Sequence, residues 1–176
     1  MLINKMRKTF VKILEELREK DANITLITAD MGFGVLESFA NRFPNEYFNV
    51  GIGEQNAVGM ATGMAIEGKI PFVYTINSVL VFRAFEQIRM LAHMGQKEKL
   101  HCVLVGTGLG DEYTNQGISH YSDGDKKCLE TIPINILTPK DKTDLTEKLN
   151  YIYSTPGVYY LRLTRFDKLP EKYHNE

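Results

Sequence analysis

The sequence predicts an α/β fold, a doubly wound, mainly parallel sheet with helices on both faces. Apolar residues alternate along the chain between helical spacing and short runs of strand length. Strands that are apolar throughout are typical of parallel sheets covered on both sides. The 176 residues, 43% hydrophobic and 24% charged, suit one compact domain. We assign residues 1–170 to this domain and residues 171–176 to a polar tail.

The elements follow one another without a repeat or a flexible linker. Met6, Phe10 and Leu17 recur every three to four residues and predict an amphipathic first helix. Apolar runs predict strands at 24–29, 47–51, 70–76, 100–106, 134–139 and 157–164. The intervening segments have helical spacing, at 36–43, 54–68, 79–94 and 140–153. A polar loop that contains several glycines covers 107–125.

Composition and charge exclude several classes of protein. Lys and Arg number 21 against 22 Asp and Glu, and this balance gives no support for a nucleic-acid or acidic-membrane partner. The uncharged stretch 70–82 is too short to span a bilayer, and the charged N-terminus lacks the apolar core of a signal peptide. Cys102 and Cys128 form no C-x-x-C motif, which argues against a disulfide scaffold or a zinc cluster. We expect a cytoplasmic protein with no metal site of its own.

The segment 49–68, NVGIGEQNAVGMATGMAIEG, holds the most informative pattern. A strand ends at Gly51, and Glu54 opens a helix in which Gly59 and Gly63 are four residues apart. Glycine inside a helix costs about 0.5–1 kcal/mol relative to alanine, so the pair indicates that another backbone or a ligand approaches closely. Glu54 either complements the helix dipole or is a carboxylate among apolar residues that shares a proton. The pattern alone leaves both interpretations open.

NVGIGEQNAVGMATGMAIEGKIPFVYT (49–75) and RAFEQIRM (83–90) resemble the pyrimidine-binding domain of the transketolase family of thiamine-diphosphate enzymes. The two stretches are joined at the spacing usual for two-subunit transketolases. The resemblance implies that Glu54 hydrogen-bonds N1′ of the cofactor's aminopyrimidine and is catalytic. It implies further cofactor contacts from Asp30, Ile52, Ile76, Val79 and Phe82.

MRKTF (6–10) resembles the start of the family's first helix, and YLRLTRF (160–166) resembles its closing strand. The resemblance implies that Arg7 and Arg165 bind a substrate phosphate, a task that suits a bidentate guanidinium. For Arg7 the residues alone leave a second interpretation open, namely a solvated charge on an amphipathic helix.

ITADMG (27–32) resembles the family's DADLG stretch, and GISH (117–120) resembles its G-x-TH loop. The resemblance implies that Asp30 lies near the cofactor and the subunit interface. It implies that His120 lies over the reactive cofactor carbon, where it is catalytic and contacts the donor substrate's oxygens. On the residues alone, Asp30 could instead cap a helix and His120 could be an exposed loop histidine.

The chain departs from the family in its pocket, its long loop and its phosphate-binding motif. Of Ile76, Val79 and Phe82, only Phe82 keeps the aromatic ring that the family has there, and a missing ring contact forfeits about 0.5–1.5 kcal/mol. The loop before GISH is longer than usual and carries Gln116 in place of an aspartate that helps to choose the sugar hydroxyl. The GDG…N motif for Mg²⁺ and the cofactor's diphosphate is missing, and the chain ends near the end of this domain. We therefore expect a partner subunit that carries the diphosphate half and the Mg²⁺.

These features together predict the pyrimidine-binding subunit of a split, thiamine-diphosphate-dependent transketolase-like enzyme of carbohydrate metabolism. Such a transferase moves a two-carbon ketol unit from a ketose, phosphorylated or nucleotide-linked, to an aldehyde. We expect an α2β2 heterotetramer in which this subunit self-associates into a dimer. Two alternatives stay open: a subunit of a 2-keto-acid decarboxylase or synthase with the same cofactor, and a non-catalytic homologue. GTGLG (106–110) lacks both the following helix and the glycine spacing of a dinucleotide site.

Overall fold

The computed structural model of the chain describes residues 5–174. Residues 1–4 of the predicted domain and residues 175–176 of the predicted tail lie outside the described residues. The strands of the described part are β1 (Ile24–Thr28), β2 (Tyr47–Asn49), β3 (Ile70–Ile76), β4 (Cys102–Thr107), β5 (Asn135–Leu137) and β6 (Val158–Leu163). They form one sheet in the order β2-β1-β3-β4-β6-β5, in which every pair of neighbours is parallel. The predicted parallel sheet is confirmed.

Helices cover both faces of this sheet. They are α1 (Lys5–Lys20), α2 (Glu37–Arg42), α3 (Glu54–Ile66), α4 (Asn77–Arg83), α5 (Phe85–Glu98), α6 (Asp125–Leu129) and α7 (Lys142–Ser154). One core lies between the sheet and α1, α2 and α7, and a second core lies between the sheet and α3, α4, α5 and α6. The doubly wound α/β architecture is therefore also confirmed. Within residues 5–174, none of the helices combines the length and apolar character needed to span a membrane.

The central strands are buried on both faces because consecutive side chains point to opposite sides of a strand. Tyr74, Val105 and Leu161 belong to the first core, whereas their preceding neighbours Val73 and Leu104 belong to the second. An alternating polar pattern would place polar groups in one of the two cores. This double burial explains the uninterrupted apolar runs in the sequence.

One helix prediction is wrong, and one short helix was not predicted. The helix predicted over 79–94 is two helices, because the chain leaves helical geometry at the fully buried Ala84. Neither glycine nor proline occurs at the break, so the sequence carries no local signal for it. The short helix α6 lies at the end of the segment predicted as a loop, and its buried residues are Asp125 and Leu129. A helix this short, with one buried apolar residue, has no readable periodicity.

The described part of the predicted tail is packed against the domain. Glu171–Tyr173 forms one 3-10 turn, and the buried Tyr173 contacts Leu109 and Leu169. The Tyr173 hydroxyl donates a hydrogen bond to the Asp111 carboxylate and accepts one from the Asp111 N–H at 3.1 Å. The turn therefore supports the beginning of the long loop 107–125.

A buried polar network anchors α6 to the sheet. Arg162 of β6 donates to both carboxylate oxygens of Asp125, at 2.9 Å and 2.8 Å, and both side chains are buried. The Tyr160 hydroxyl donates to the same carboxylate at 2.6 Å. The Asn77 amide, at the start of α4, donates to the Gly108 carbonyl at 3.0 Å. Removing one member of a buried ion pair costs about 3–5 kcal/mol, so this network is a strong constraint on the chain around it.

We predict opposite stability changes for two glycine-to-alanine substitutions. A Cβ at Gly106 would collide with the Asn77 amide and lie 2.9 Å from the Tyr160 ring, so Gly106→Ala lowers the free energy of unfolding by about 1–3 kcal/mol. Gly63 is exposed in α3, and apart from the adjoining helix backbone no atom lies within 4 Å of an added Cβ. Gly63→Ala therefore raises the free energy of unfolding by about 0.5–1 kcal/mol. Urea unfolding followed by circular dichroism measures both. A shift of the same sign in both variants would contradict the packing described here.

Candidate functional site

A cavity of about 510 Å³ lies at the carboxyl ends of β1 and β3. From these neighbouring strands the sheet extends in opposite directions, to β2 on one side and to β4 on the other. Ligands of open parallel sheets bind at such a reversal, outside the carboxyl ends of the strands. Of the predicted site residues, all but Phe82 line the cavity: Arg7, Asp30, Ile52, Glu54, Ile76, Val79, His120 and Arg165.

Glu54 is the buried acid of the cavity. It is the first residue of α3 and only 4% exposed, and Gly51 in the preceding turn has a φ of +72°, a conformation that favours glycine. The Arg83 guanidinium donates to both Glu54 oxygens, at 3.3 Å and 3.2 Å. Glu54 therefore complements the dipole of α3 and also presents a carboxylate to the cavity, so the two interpretations are compatible.

Arg83 is a site residue that the sequence analysis did not assign. It is the last residue of α4 and lies four residues after Val79, on the same helix face, so both side chains line the cavity. Arg83 begins the RAFEQIRM stretch, and its helical spacing from Val79 could have identified it. Phe82, the predicted ring, is half exposed and is not among the lining residues. A cofactor contact from Phe82 stays a prediction that the cavity does not support.

The buried ring of the cavity belongs to Tyr113, in the long loop. Tyr113 packs with Ile76 and Val79 in a small apolar cluster that Met31 also joins. Ile52, by contrast, is 77% exposed at the mouth of the cavity. No sequence feature identified Tyr113, because it lies in the segment that lengthens the loop, where the resemblance supplies no matching residue.

The two predicted phosphate ligands both contact Tyr113. Arg7 is 6% exposed, and its Nη1 donates to the Tyr113 hydroxyl at 2.8 Å, so the interpretation of Arg7 as a solvated surface charge is wrong. The Arg165 guanidinium lies 4.3 Å from the centre of the Tyr113 ring. Arg7 and Arg165, which are near opposite ends of the chain, thus contact the same tyrosine side chain.

His120 and Asp30 lie on two other sides of the cavity. His120 is half-buried, and its Nδ1 is 3.0 Å from the Ser119 hydroxyl. Asp30 has a φ of +50° and exchanges hydrogen bonds with Asn49: its N–H donates at 3.0 Å, and the Asn49 amide donates back at 3.3 Å. No helix begins at Asp30, so the alternative role as a helix cap is wrong.

Glu112 ties the long loop to the segment that follows β6. Its carboxylate accepts hydrogen bonds from the Thr164 hydroxyl and from the Arg165 N–H, the latter at 2.8 Å. Its carbonyl accepts a hydrogen bond from Arg165 Nη1 at 2.6 Å. Burial raises the pKa of Glu112, and the bonds from Thr164 and Arg165 oppose this increase. Among residues 5–174, no group of three or more His, Cys, Asp or Glu side chains is arranged to hold a metal ion.

The chain is similar to known proteins over almost its whole length. The family described as the transketolase pyrimidine binding domain matches residues 4–167. An apulose-4-phosphate transketolase subunit from Phocaeicola vulgatus is 32% identical over 97% of the chain and 54% of the relative. A 6-deoxy-6-sulfo-D-fructose transketolase subunit from a Clostridium species is 30% identical over 91% of the chain and 49% of the relative.

Solved structures agree with this match. A split-gene transketolase, described as an inactive beta4 tetramer, superposes with a TM-score of 0.79 at 31% identity, over 94% of this chain and 53% of that chain. This chain therefore spans about half the length of the relatives that it matches.

We predict that Glu112 contributes a measurable pH dependence to stability. Burial raises its folded-state pKa above the ordinary value of 4.5, so the folded state binds more protons than the unfolded state from that value upward to the folded pKa. The free energy of unfolding therefore falls as pH rises through this window. Glu112→Gln lacks the titrating proton. The free energy of unfolding of the wild type minus that of the variant, measured by urea unfolding from about pH 4 to pH 7, therefore decreases as pH rises. A difference that stays constant would contradict the raised pKa.

Proposed function

The chain belongs to the transketolase pyrimidine-binding domain family, and on that premise we propose that it is one subunit of a split, thiamine-diphosphate-dependent transketolase-like enzyme. The observation that carries the proposal is a buried carboxylate, Glu54, facing a cavity at the switch point of a parallel sheet. The reaction transfers a two-carbon ketol unit between a ketose and an aldehyde.

The lining of the cavity suits the aminopyrimidine half of thiamine diphosphate. Ile76 and Val79 provide an apolar floor that removes about 25 cal/mol per Å² of apolar ligand surface from water. Glu54, beside this floor, is the acid for N1′ of the ring, and Asp30 and Ile52 lie at the mouth. When bound, the cofactor supplies a stabilised carbanion, chemistry that protein side chains do not provide.

The residues of this chain orient the reactants and handle protons. Glu54 holds a proton at N1′, and Arg83, which is half exposed, can withdraw toward solvent as that contact forms. His120 donates a hydrogen bond to the substrate oxygen on which negative charge develops. Arg7 and Arg165 bind the anionic group of the substrate. The two similar transketolase subunits are named for a phosphate and a sulfonate substrate, which supports an anionic substrate here.

A partner subunit completes the proposed site. Apolar side chains on three loops around the mouth are strongly exposed: Phe33 at 98%, Ile118 at 88% and Ile52 at 77%. Large exposed apolar groups that cluster in this way mark protein interfaces. We assign this rim to a subunit that carries the diphosphate half of the site and the Mg²⁺.

The outer face of α3 supports self-association. Gly59 and Gly63 are exposed, and apart from the adjoining backbone of α3 nothing in the described chain lies within 4 Å of a Cβ placed on either. The close approach that these glycines indicate is therefore one that a second molecule makes. Two copies paired in this way, each with a partner subunit, form the proposed α2β2 heterotetramer.

We predict that Glu54→Ala lowers kcat of the enzyme reconstituted with its partner at least about 100-fold, because the variant has no carboxyl group to hold a proton at N1′. The matched control is Glu86→Ala, which removes an exposed acid that also pairs with an arginine and also lies in the first turn of a helix. The control retains wild-type turnover. Near-normal turnover of a folded Glu54→Ala enzyme would reject the proposed role.

A donor screen separates transketolase from keto-acid chemistry. The reconstituted enzyme is offered ketose phosphates, the corresponding free ketoses and 2-keto acids, each with an aldehyde acceptor. We expect turnover with the ketose phosphates, because Arg7 and Arg165 suit an anion at the far end of a sugar. Turnover with 2-keto acids alone would replace this proposal by the decarboxylase or synthase. Calorimetry that detects no thiamine diphosphate binding to the complex would favour the non-catalytic homologue.

A further inference from the structure

Two arginines of the cavity have no carboxylate partner. Within residues 5–174, no carboxylate oxygen lies within ion-pair distance of the Arg7 or the Arg165 guanidinium. The Nε atoms of both are buried and make no hydrogen bond to any residue that the structure describes. Arg7 is buried and Arg165 is half-buried. A charge taken out of water without an ion-pair partner is costly, so both guanidinium groups are prepared for an anion that comes from outside the described chain.

Tyr113 holds both of these arginines. Its hydroxyl accepts a hydrogen bond from Arg7 Nη1 at 2.8 Å, and its ring lies under the Arg165 guanidinium at 4.3 Å. Arg165 has a second tether in the Glu112 carbonyl, which accepts from its Nη1 at 2.6 Å. Each arginine therefore has one end restrained by residues 112 and 113, while its Nε makes no hydrogen bond to the described residues.

Tyr113 is itself rigidly seated. It is buried, and its ring packs on Ile76 and Val79. Gly108 has a φ of +86°, and a Cβ there would collide with the Tyr113 ring, so the ring occupies space that only glycine leaves free. The neighbouring Glu112 binds Thr164 and the Arg165 backbone, which fixes the loop on the other side.

We propose that Tyr113 is a positioning residue that sets Arg7 and Arg165 to bind one tetrahedral anion of the substrate, a phosphate or a sulfonate. This inference rests on the proposed function for the identity of the substrate and goes beyond it in assigning the residue that organises the two ligands. A phenol restrains both guanidinium groups without neutralising them, whereas a carboxylate at the same place would compete with the substrate anion.

A different role for the ring is to stack on the cofactor's pyrimidine. The contacts argue against this role. The Arg165 guanidinium already covers the face of the Tyr113 ring, and the edge of the ring fills the space above Gly108. Stacking would affect the affinity for thiamine diphosphate, whereas positioning affects the KM of anionic donors. The two roles therefore separate in experiment.

The kinetic test uses Tyr113→Phe in the reconstituted enzyme. This change deletes only the hydroxyl bonded to Arg7 and keeps the ring under Arg165. We expect KM for a ketose phosphate to rise roughly tenfold, the usual weight of a hydrogen bond to a charged group, with kcat within about twofold of wild type. KM for the same ketose without its phosphate and the affinity for thiamine diphosphate stay unchanged. Tyr121→Phe, on the same loop but exposed, is the control and behaves as wild type.

A rise in KM that is equal for the phosphorylated and the free ketose would overturn the inference. So would a loss of thiamine diphosphate affinity in Tyr113→Phe, which would assign the ring to the cofactor instead.

A second test does not depend on turnover. Inorganic phosphate and, separately, sulfate are titrated into the full chain, and the Nε–H resonances of Arg7 and Arg165 are followed by nitrogen-edited NMR. We expect both resonances to shift together in wild type, and the phosphate affinity to fall roughly tenfold in Tyr113→Phe. Equal affinity in both proteins, or no shift in wild type, would reject the role of Tyr113 whether or not the chain transfers ketol units. Binding that depends on Tyr113 in an enzyme without ketol transfer would reject the proposed function alone.

Discussion

All six described strands run in the same direction, so the loops that follow their carboxyl ends open on the same edge of the sheet. Helices that connect parallel strands run back across the sheet, and their first residues therefore also lie at this edge. Glu54 at the start of α3, which connects β2 and β3, reaches the cavity in this way, and Arg7 near the start of α1, the helix before β1, lines the same cavity. Arg165 reaches it from the end of β6. The parallel arrangement is thus the constraint that brings residues from both ends of the chain into one cavity.

The charges around this cavity are unevenly matched. Glu54 is paired with Arg83, while Arg7 and Arg165 contact a phenol ring and a carbonyl group instead of carboxylates. A buried charge loses the stabilisation of water, and only an opposite charge or several hydrogen bonds restore it. The site therefore has an acidic end, which suits a nitrogen heterocycle, and a cationic end, which suits an anion. This division of charge supports the proposal of an anionic substrate beside a pyrimidine ring.

Two surfaces carry exposed apolar side chains or glycines that no other part of the described chain covers. Phe33 and Ile118 project from the rim of the cavity, and Gly59 and Gly63 leave an open strip along α3. Burial of such a rim is favourable by roughly 25 cal/mol per Å², and exposed helix glycines lower stability unless something packs against them. These costs are recovered when other chains cover the two surfaces. The proposed sharing of an active site with a partner subunit covers the rim, and the proposed self-association covers the strip along α3.

The fold class and the positions of the strands could be predicted from the amino-acid sequence, because apolar periodicity is a local property of the chain. Most of the residues that line the cavity could be named through the resemblance of a long contiguous motif to the transketolase family. Glu54, Arg7, His120 and Arg165, which the sequence assigned to a site, all line the cavity. The three-dimensional packing was needed to show that Arg83 joins the predicted Val79 in the cavity lining and that Phe82 does not. It also decided that Tyr113, from a loop without regular spacing, packs between two arginines separated by most of the chain. Such contacts depend on how segments that are distant in the sequence pack against each other, and the residue types along one segment do not predict this packing.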